Sequence, residues 1–151
     1  MGVVAFVTWL LTAVCGLGLI SIWMFEYDGS GPASRLPKTA IGGHILLALT
    51  GMALWTTFLF TRMSRVAWAT VGILVVVALL GLVMLLRWIG VHRANRAASP
   101  VLASAGSGTP RFEAAAPPER HLPIALVVAH GVLAVVTLLL VLLTALDVAA
   151  G

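Results

Sequence analysis

The chain has 151 residues, of which 61% are hydrophobic and only 9% charged, and its mean hydropathy is +1.11. That composition excludes a water-soluble globular domain, because too few polar side chains exist to clothe its surface, and lipid must be the solvent for most of the chain. The net charge of +4 does not mark a nucleic-acid binder, since the basic residues sit in turns beside apolar runs, where they meet lipid headgroups.

The first predicted element runs from Val3 to Trp23, with Trp23, Phe25 and Tyr27 forming an aromatic belt at its end. Cys15 is the single cysteine, so no intramolecular disulfide can form. Thr12-Ala13-Val14-Cys15 resembles a lipoprotein processing site only loosely. Val14 stands where a small residue is required and no basic region precedes it, so the segment is expected to remain as a membrane helix. A polar turn follows, and the second element spans Pro37 to Phe60. Arg62-Met63-Ser64-Arg65 makes a tight basic turn into the third, Val66 to Ile89. The connection from Gly90 to Arg120 is rich in Ser, Gly, Ala and Pro, and is expected to be a mobile loop that buries no core. The fourth element spans Pro123 to Leu146. Each apolar run has about twenty residues, the length that crosses a hydrocarbon core of about 30 Å. The expected fold is a single all-α membrane domain, a four-helix bundle made of two helical hairpins.

One phrase occurs twice. Leu36-Pro37, six residues, then His44 with Leu47-Ala48 is matched by Leu122-Pro123, six residues, then His130 with Leu133-Ala134. A proline fixes where a helix starts, because its missing N–H has no intrahelical acceptor to lose. Seven residues further on, at a rise of 1.5 Å each, both histidines fall about 10 Å inside the bilayer at one depth. The two hairpins therefore run in the same sense, as a parallel repeat about an axis along the membrane normal. The first helices of the pair match less well, with Val7-Thr8-Trp9 against Val66-Ala67-Trp68.

An ionisable group at that depth faces the bundle interior and finds a partner there. Ala40, His44, Ala48, Gly51 and Trp55 share one helical stripe; Leu126, His130, Ala134, Thr137 and Thr144 share another. Small residues on such stripes let helices approach closely, and would equally leave room for a flat macrocycle. Two histidines from facing helices suit axial ligation of one haem iron, with Arg35, Lys38, Arg87 and Arg120 at the adjacent surface to meet its propionates. The plainer alternative is that each histidine donates to a helix carbonyl, or to the other histidine, and locks the hairpins together. Cys15 falls near the same depth, so a Cys–His–His metal site is a further geometric option. His92 and His121 are expected to face headgroups.

On these two histidines the chain resembles, across its second and fourth segments, the bis-histidine b-type membrane cytochromes built on four-helix cores. It also resembles small four-span integral membrane proteins of actinobacterial type, which bring no function with them, through a His130-Gly131-x-Leu133-Ala134 run in the last helix. The cytochrome resemblance implies one haem b held by His44 and His130, in an electron-transfer-associated membrane subunit. Other classes stay open: a non-catalytic structural or assembly subunit of a larger membrane complex, or a homo-oligomeric transporter or channel gated by the histidines. An enzyme is not expected, because the sequence offers no phosphate loop, no nucleophile with a base and no intramembrane carboxylate pair.

Eight arginines against one lysine suit a GC-rich bacterial coding sequence, and hence a bacterial cytoplasmic membrane. Seven of the nine basic residues flank the first and third connections, which puts both connections in the cytoplasm and both termini outside. In a Cys15→Ser background, a cysteine replacing Ser104 is expected to resist an impermeant maleimide in intact cells, while one added after Gly151 labels. Labelling of the loop cysteine alone reverses the orientation.

Overall fold

In hydrocarbon a peptide group has no water to bond, so each apolar run must satisfy its own backbone, and a helix does this within one segment. The computed structural model describes residues 1–26, 36–104 and 121–150, with side chains described over 1–26, 36–94 and 121–150. It consists of four helices: α1 (Gly2–Phe25), α2 (Lys38–Thr61), α3 (Ser64–Ser104) and α4 (Ile124–Ala150). All four are long and apolar enough to cross a membrane, α3 through its Ser64–Ala94 portion. The molecule is a small multi-pass integral membrane protein with the expected four-helix bundle.

Several helix bounds differ from expectation, and α4 for one runs to Ala150 and not to Leu146. Helix α3 does not stop near Ile89 but continues to Ser104, so the first part of the expected 90–120 loop is helical. Ser, Gly and Pro mark segments that bury no core, but Arg, Ala and Val between them sustain a helix already nucleated by the transmembrane portion. The remainder of that loop, 105–120, lies outside the described residues. The prolines stand one position earlier than predicted. Pro37 is the N-cap of α2, with φ −66° and ψ 121°, and its carbonyl accepts the amides of Ala40 and Ile41 at 3.0 and 3.1 Å. The Pro123 carbonyl accepts those of Leu126 and Val127, both at 3.1 Å. The two copies of the phrase thus begin their helices with the same pair of bonds.

Helix α1 packs mainly along α4 and α2 along α3, while α3·α4 and α1·α2 close the ring more lightly. Sequence neighbours α1 and α2 are therefore not the tightest pair. Among the described residues α1 lies diagonal to α3, and α2 diagonal to α4.

Burial reveals the internal repeat more fully than the sequence phrase does. In α1 the buried residues are Gly2, Ala5, Trp9 and Thr12, and in α3 Ala67, Thr70, Leu74 and Val77 are buried at a constant offset of 65. In α2 they are Gly51, Trp55 and Phe58, and in α4 Thr137, Val141 and Thr144 repeat them at the 86-residue offset of the histidines. This replaces the expected match of Val7-Thr8-Trp9 with Val66-Ala67-Trp68, since Trp9 is 3% exposed and Trp68 42%. In the correct register Ala13, Gly16, Leu17 and Trp23 stand over Ala78, Gly81, Leu82 and Trp88.

The core lies in the half of the bundle nearer the termini. Ala5, Trp9, Trp55, Phe58, Ala67, Val71, Leu74, Val141 and Ala145 form one cluster there. Within it the Trp55 indole N–H donates to the Gly2 carbonyl at 3.1 Å, and the Thr12 and Thr137 hydroxyls share a hydrogen bond of 3.2 Å. Hydroxyls elsewhere turn back on their own helix: Thr50, Thr56, Thr57, Thr61, Thr70 and Thr144 each donate to the carbonyl four residues earlier. That is how a hydroxyl is carried into lipid without an unpaired hydrogen. Helix α2 ends at Arg62 in the left-handed region, φ 54° and ψ 21°, with its N–H on the Phe58 carbonyl at 2.8 Å.

Gly51 is one of the places where α1 and α2 leave no room for a side chain. A methyl group there would meet the Trp9 ring at 2.9 and 3.1 Å and Ile73 at 3.2 Å, whereas one at Gly42 meets nothing within 4 Å. Gly51→Ala is expected to destabilise the bundle by about 1–3 kcal/mol, as overpacking does. Gly42→Ala should be neutral or stabilising by up to about 1 kcal/mol. Unfolding of both variants in mixed micelles measures the difference.

Candidate functional site

His44 enters from α2 and His130 from α4, the diagonal pair, each seven residues, or about two turns, from the first buried residue of its own helix, Gly51 or Thr137. Their ring centroids lie 6.3 Å apart with the planes tilted by 56°. Neither histidine donates to the other. His44 Nδ1–H donates to the Val77 carbonyl of α3 at 3.0 Å, and His130 Nδ1–H donates to the Thr12 carbonyl of α1 at 3.0 Å. Val77 and Thr12 are equivalent positions of the repeat, so the two halves solve the same problem in the same way.

The approach is made possible by glycine. One turn beyond each accepting carbonyl the helix carries Gly81 or Gly16. A Cβ at Gly81 would stand 3.3 Å from His44 Cε1, and one at Gly16 would stand 3.0 Å from His130 Cε1. Each imidazole therefore sets its Nδ1–Cε1 edge against the bare backbone of the helix to which it donates. With a carbonyl facing Nδ1, that nitrogen carries the proton, and Nε2 is the lone-pair position of the neutral ring. Both histidines are held in the tautomer that ligates through Nε2, with the orienting bond on the opposite nitrogen.

Burial is unequal on the two sides of the pair. From the histidines toward the loop end, residues 13–25, 38–50, 78–87 and 124–136 include no buried side chain on any of the four helices. Burial resumes at the end of that stretch with Leu36, Trp88 and Val91. A close-packed interior would fill such a zone with contacts worth a large share of bundle stability. Here the side chains are half-buried or exposed, and the histidine pair lies at the border with the packed core.

Cys15 does not join the histidines. Among the described residues no three groups of the His, Cys, Asp and Glu types are placed to hold a metal ion, which removes the Cys–His–His option. Lys38 and Arg87 lie at the loop end of the bundle, while Arg35 and Arg120 fall outside the described residues. His121 is exposed as expected, 3.4 Å from the Glu26 carboxylate, and so links the end of α1 to the entrance of α4. His92 is not headgroup-facing: it stacks on Trp88, with centroids 5.2 Å apart and planes at 20°. The paired glycines and Trp88 are not marked by the repeated histidine phrase. Their signal is Ala-x-x-Gly-Leu-x5-Trp, present at Ala13 and again at Ala78.

No family model, no curated protein and no solved structure matches the chain. The function must therefore be argued from the geometry.

Because each histidine has its own carbonyl, their losses should be independent in protein prepared without cofactor. His44→Ala and His130→Ala are each expected to cost about 1 kcal/mol, the net worth of one such bond. The double variant should cost the sum within about 0.5 kcal/mol, as for uncoupled sites. Thermal or detergent unfolding of the four proteins checks this; a larger coupling shows that the rings interact directly.

Proposed function

We propose that this protein is a small haem b-binding, electron-transfer-associated subunit of a bacterial cytoplasmic membrane, with His44 and His130 as the two axial ligands. One observation carries the reading: two diagonal imidazoles, both fixed in the Nε2 lone-pair tautomer, are separated by the distance a shared metal requires. Metal–imidazole nitrogen bonds run about 2 Å, so two rings on opposite faces of one ion have centres about 6 Å apart. The measured 6.3 Å agrees with that span, and the 56° tilt is compatible with it, since ligand planes can rotate about the iron–nitrogen axis. The loosely lined zone beside the pair supports the reading, because a macrocycle needs a volume that side chains do not claim.

The chain's own part in this chemistry is positional and electrostatic. The Val77 and Thr12 carbonyls orient the rings and raise their basicity as ligands. Gly16 and Gly81 let those rings retreat against the neighbouring helices, which widens the gap between them. The packed core below excludes water from the terminal side. Bound haem would supply one-electron transfer at a potential set by its two nitrogen ligands and its burial. With the loop side toward the cytoplasm, the site lies nearer that face, and Lys38 and Arg87 sit where acidic substituents of the ligand would emerge. Any redox partner would be a further membrane subunit or a second copy of the chain.

Purified protein from haem-replete cells should show a Soret band with sharp α and β bands on dithionite reduction. His44→Ala and His130→Ala should each abolish the low-spin spectrum, and the double variant should add nothing, in contrast to the additive stability losses without cofactor. A flat visible spectrum in the parent protein removes the haem reading. It would leave the histidines as two separate inter-helix ties.

A further inference from the structure

Two buried polar atoms among the described residues have no hydrogen-bond partner, and they are neighbours: Trp88 Nε1 and His92 Nε2. Trp88 is 8% exposed, and its ring stacks on that of His92 one turn away. An indole N–H donates and cannot accept, so a buried one left bare costs about 1–3 kcal/mol. Its missing partner must be an acceptor.

Position says which acceptor. Val77, Gly81, Trp88 and His92 share one face of the continuous helix α3, at spacings of four, seven and four. His44 donates to the first and packs on the second. Trp88 therefore lies two turns, about 10 Å, toward the loop from the ring of His44, on the same inward stripe. Between them runs the stretch 78–87 without a buried side chain. The described protein offers no carboxylate for the pair: Glu26 sits against His121, and Asp147 lies at the opposite end of the bundle.

We propose that the Trp88 indole N–H and the His92 ring form a second recognition point, which binds a carboxylate at the loop-side edge of the ligand held between His44 and His130. This rests on the haem reading and deepens it, since haem b carries two carboxylates on one edge of its macrocycle. Lys38 and Arg87 supply positive charge at the same end, and Trp88 and His92 supply directed donors within it. The arrangement fixes which way round the macrocycle enters the bundle.

The test uses the full-length protein in detergent, titrated with haemin and separately with haemin dimethyl ester, in which both carboxylates are esterified. Parent protein is expected to bind haemin at least about tenfold more tightly than the ester, the worth of a hydrogen bond to a charged group. Trp88→Phe keeps the stack and removes the donor; His92→Phe keeps the stack and removes the other nitrogen. Each variant should retain the low-spin bis-histidine spectrum while the preference for haemin shrinks to about threefold or less. A preference absent from the parent, or undiminished in both variants, overturns the inference while leaving the axial histidines standing. If neither probe gives a low-spin spectrum in the parent, the histidine reading fails, and this inference fails with it.

Discussion

Hydrocarbon offers no hydrogen-bond partner, and among the described residues the polar hydrogens of the packed half and of the histidine pair are disposed of under that constraint. Backbone amides close within their helices, and threonine hydroxyls fold back on the preceding turn. The Trp55 indole reaches across to the Gly2 carbonyl. Each imidazole gives its one hydrogen to a carbonyl of the adjacent helix. That last solution has a chemical consequence the others lack. A hydroxyl bonded to its own helix is chemically spent, whereas an imidazole bonded through Nδ1 presents a lone pair at Nε2. Satisfying the polar hydrogen and preparing a ligand are here the same act.

The division of the bundle into a packed half and an open half follows from where the bulky residues stand. Trp9, Trp55 and Phe58 fill the terminal half and brace all four helices against one another. Toward the loops the inward stripes carry Gly16, Ala40, Ala48, Gly81 and Ala134 instead, so the helices have little with which to fill the space between them. At the far end of the loop-side half, Glu26–His121 links the end of α1 to the entrance of α4.

Much of this was legible in the sequence, for reasons that particular residues make plain. The four spans follow from apolar length alone. The depth and equivalence of His44 and His130 follow from a proline and a fixed count, since a helix converts residue number into distance. The diagonal placement of α2 and α4 was not legible, because nothing in an apolar stripe says which neighbour it meets. The carbonyl partners could not be read either, as every residue of a helix carries one. The register of α1 against α3 was present but obscured: Val, Leu and Ala recur so often that the false match through Trp9 and Trp68 looks as good as the true one through Gly16 and Trp23. Burial separates them, because only one register puts the same positions inside. The continuation of α3 past Gly90 was hidden by a composition that marks segments without a core and does not by itself exclude a helix.

A repeat about a central axis explains why the candidate site has the form it does. A single hairpin offers one imidazole on one side; only the second copy, arriving across the diagonal, gives a ligand on the axis two opposed faces. Once both copies lie in one chain, the halves are free to differ wherever the axis does not demand equality. They do differ: Thr12 and Thr137 share a hydrogen bond where Val77 and Gly51 cannot, and Trp55 holds a carbonyl where Val141 has nothing to donate. At the loop end Glu26 of α1 faces His121, while its counterpart Val91 is 2% exposed beside Trp88. The equal positions include the two histidines, their two glycines and the carbonyl four residues before each glycine. Identity thus runs along the histidine stripes, through Ala13 and Ala78, Gly16 and Gly81, and Ala48 and Ala134, while the packed half and the far end of the bundle diverge.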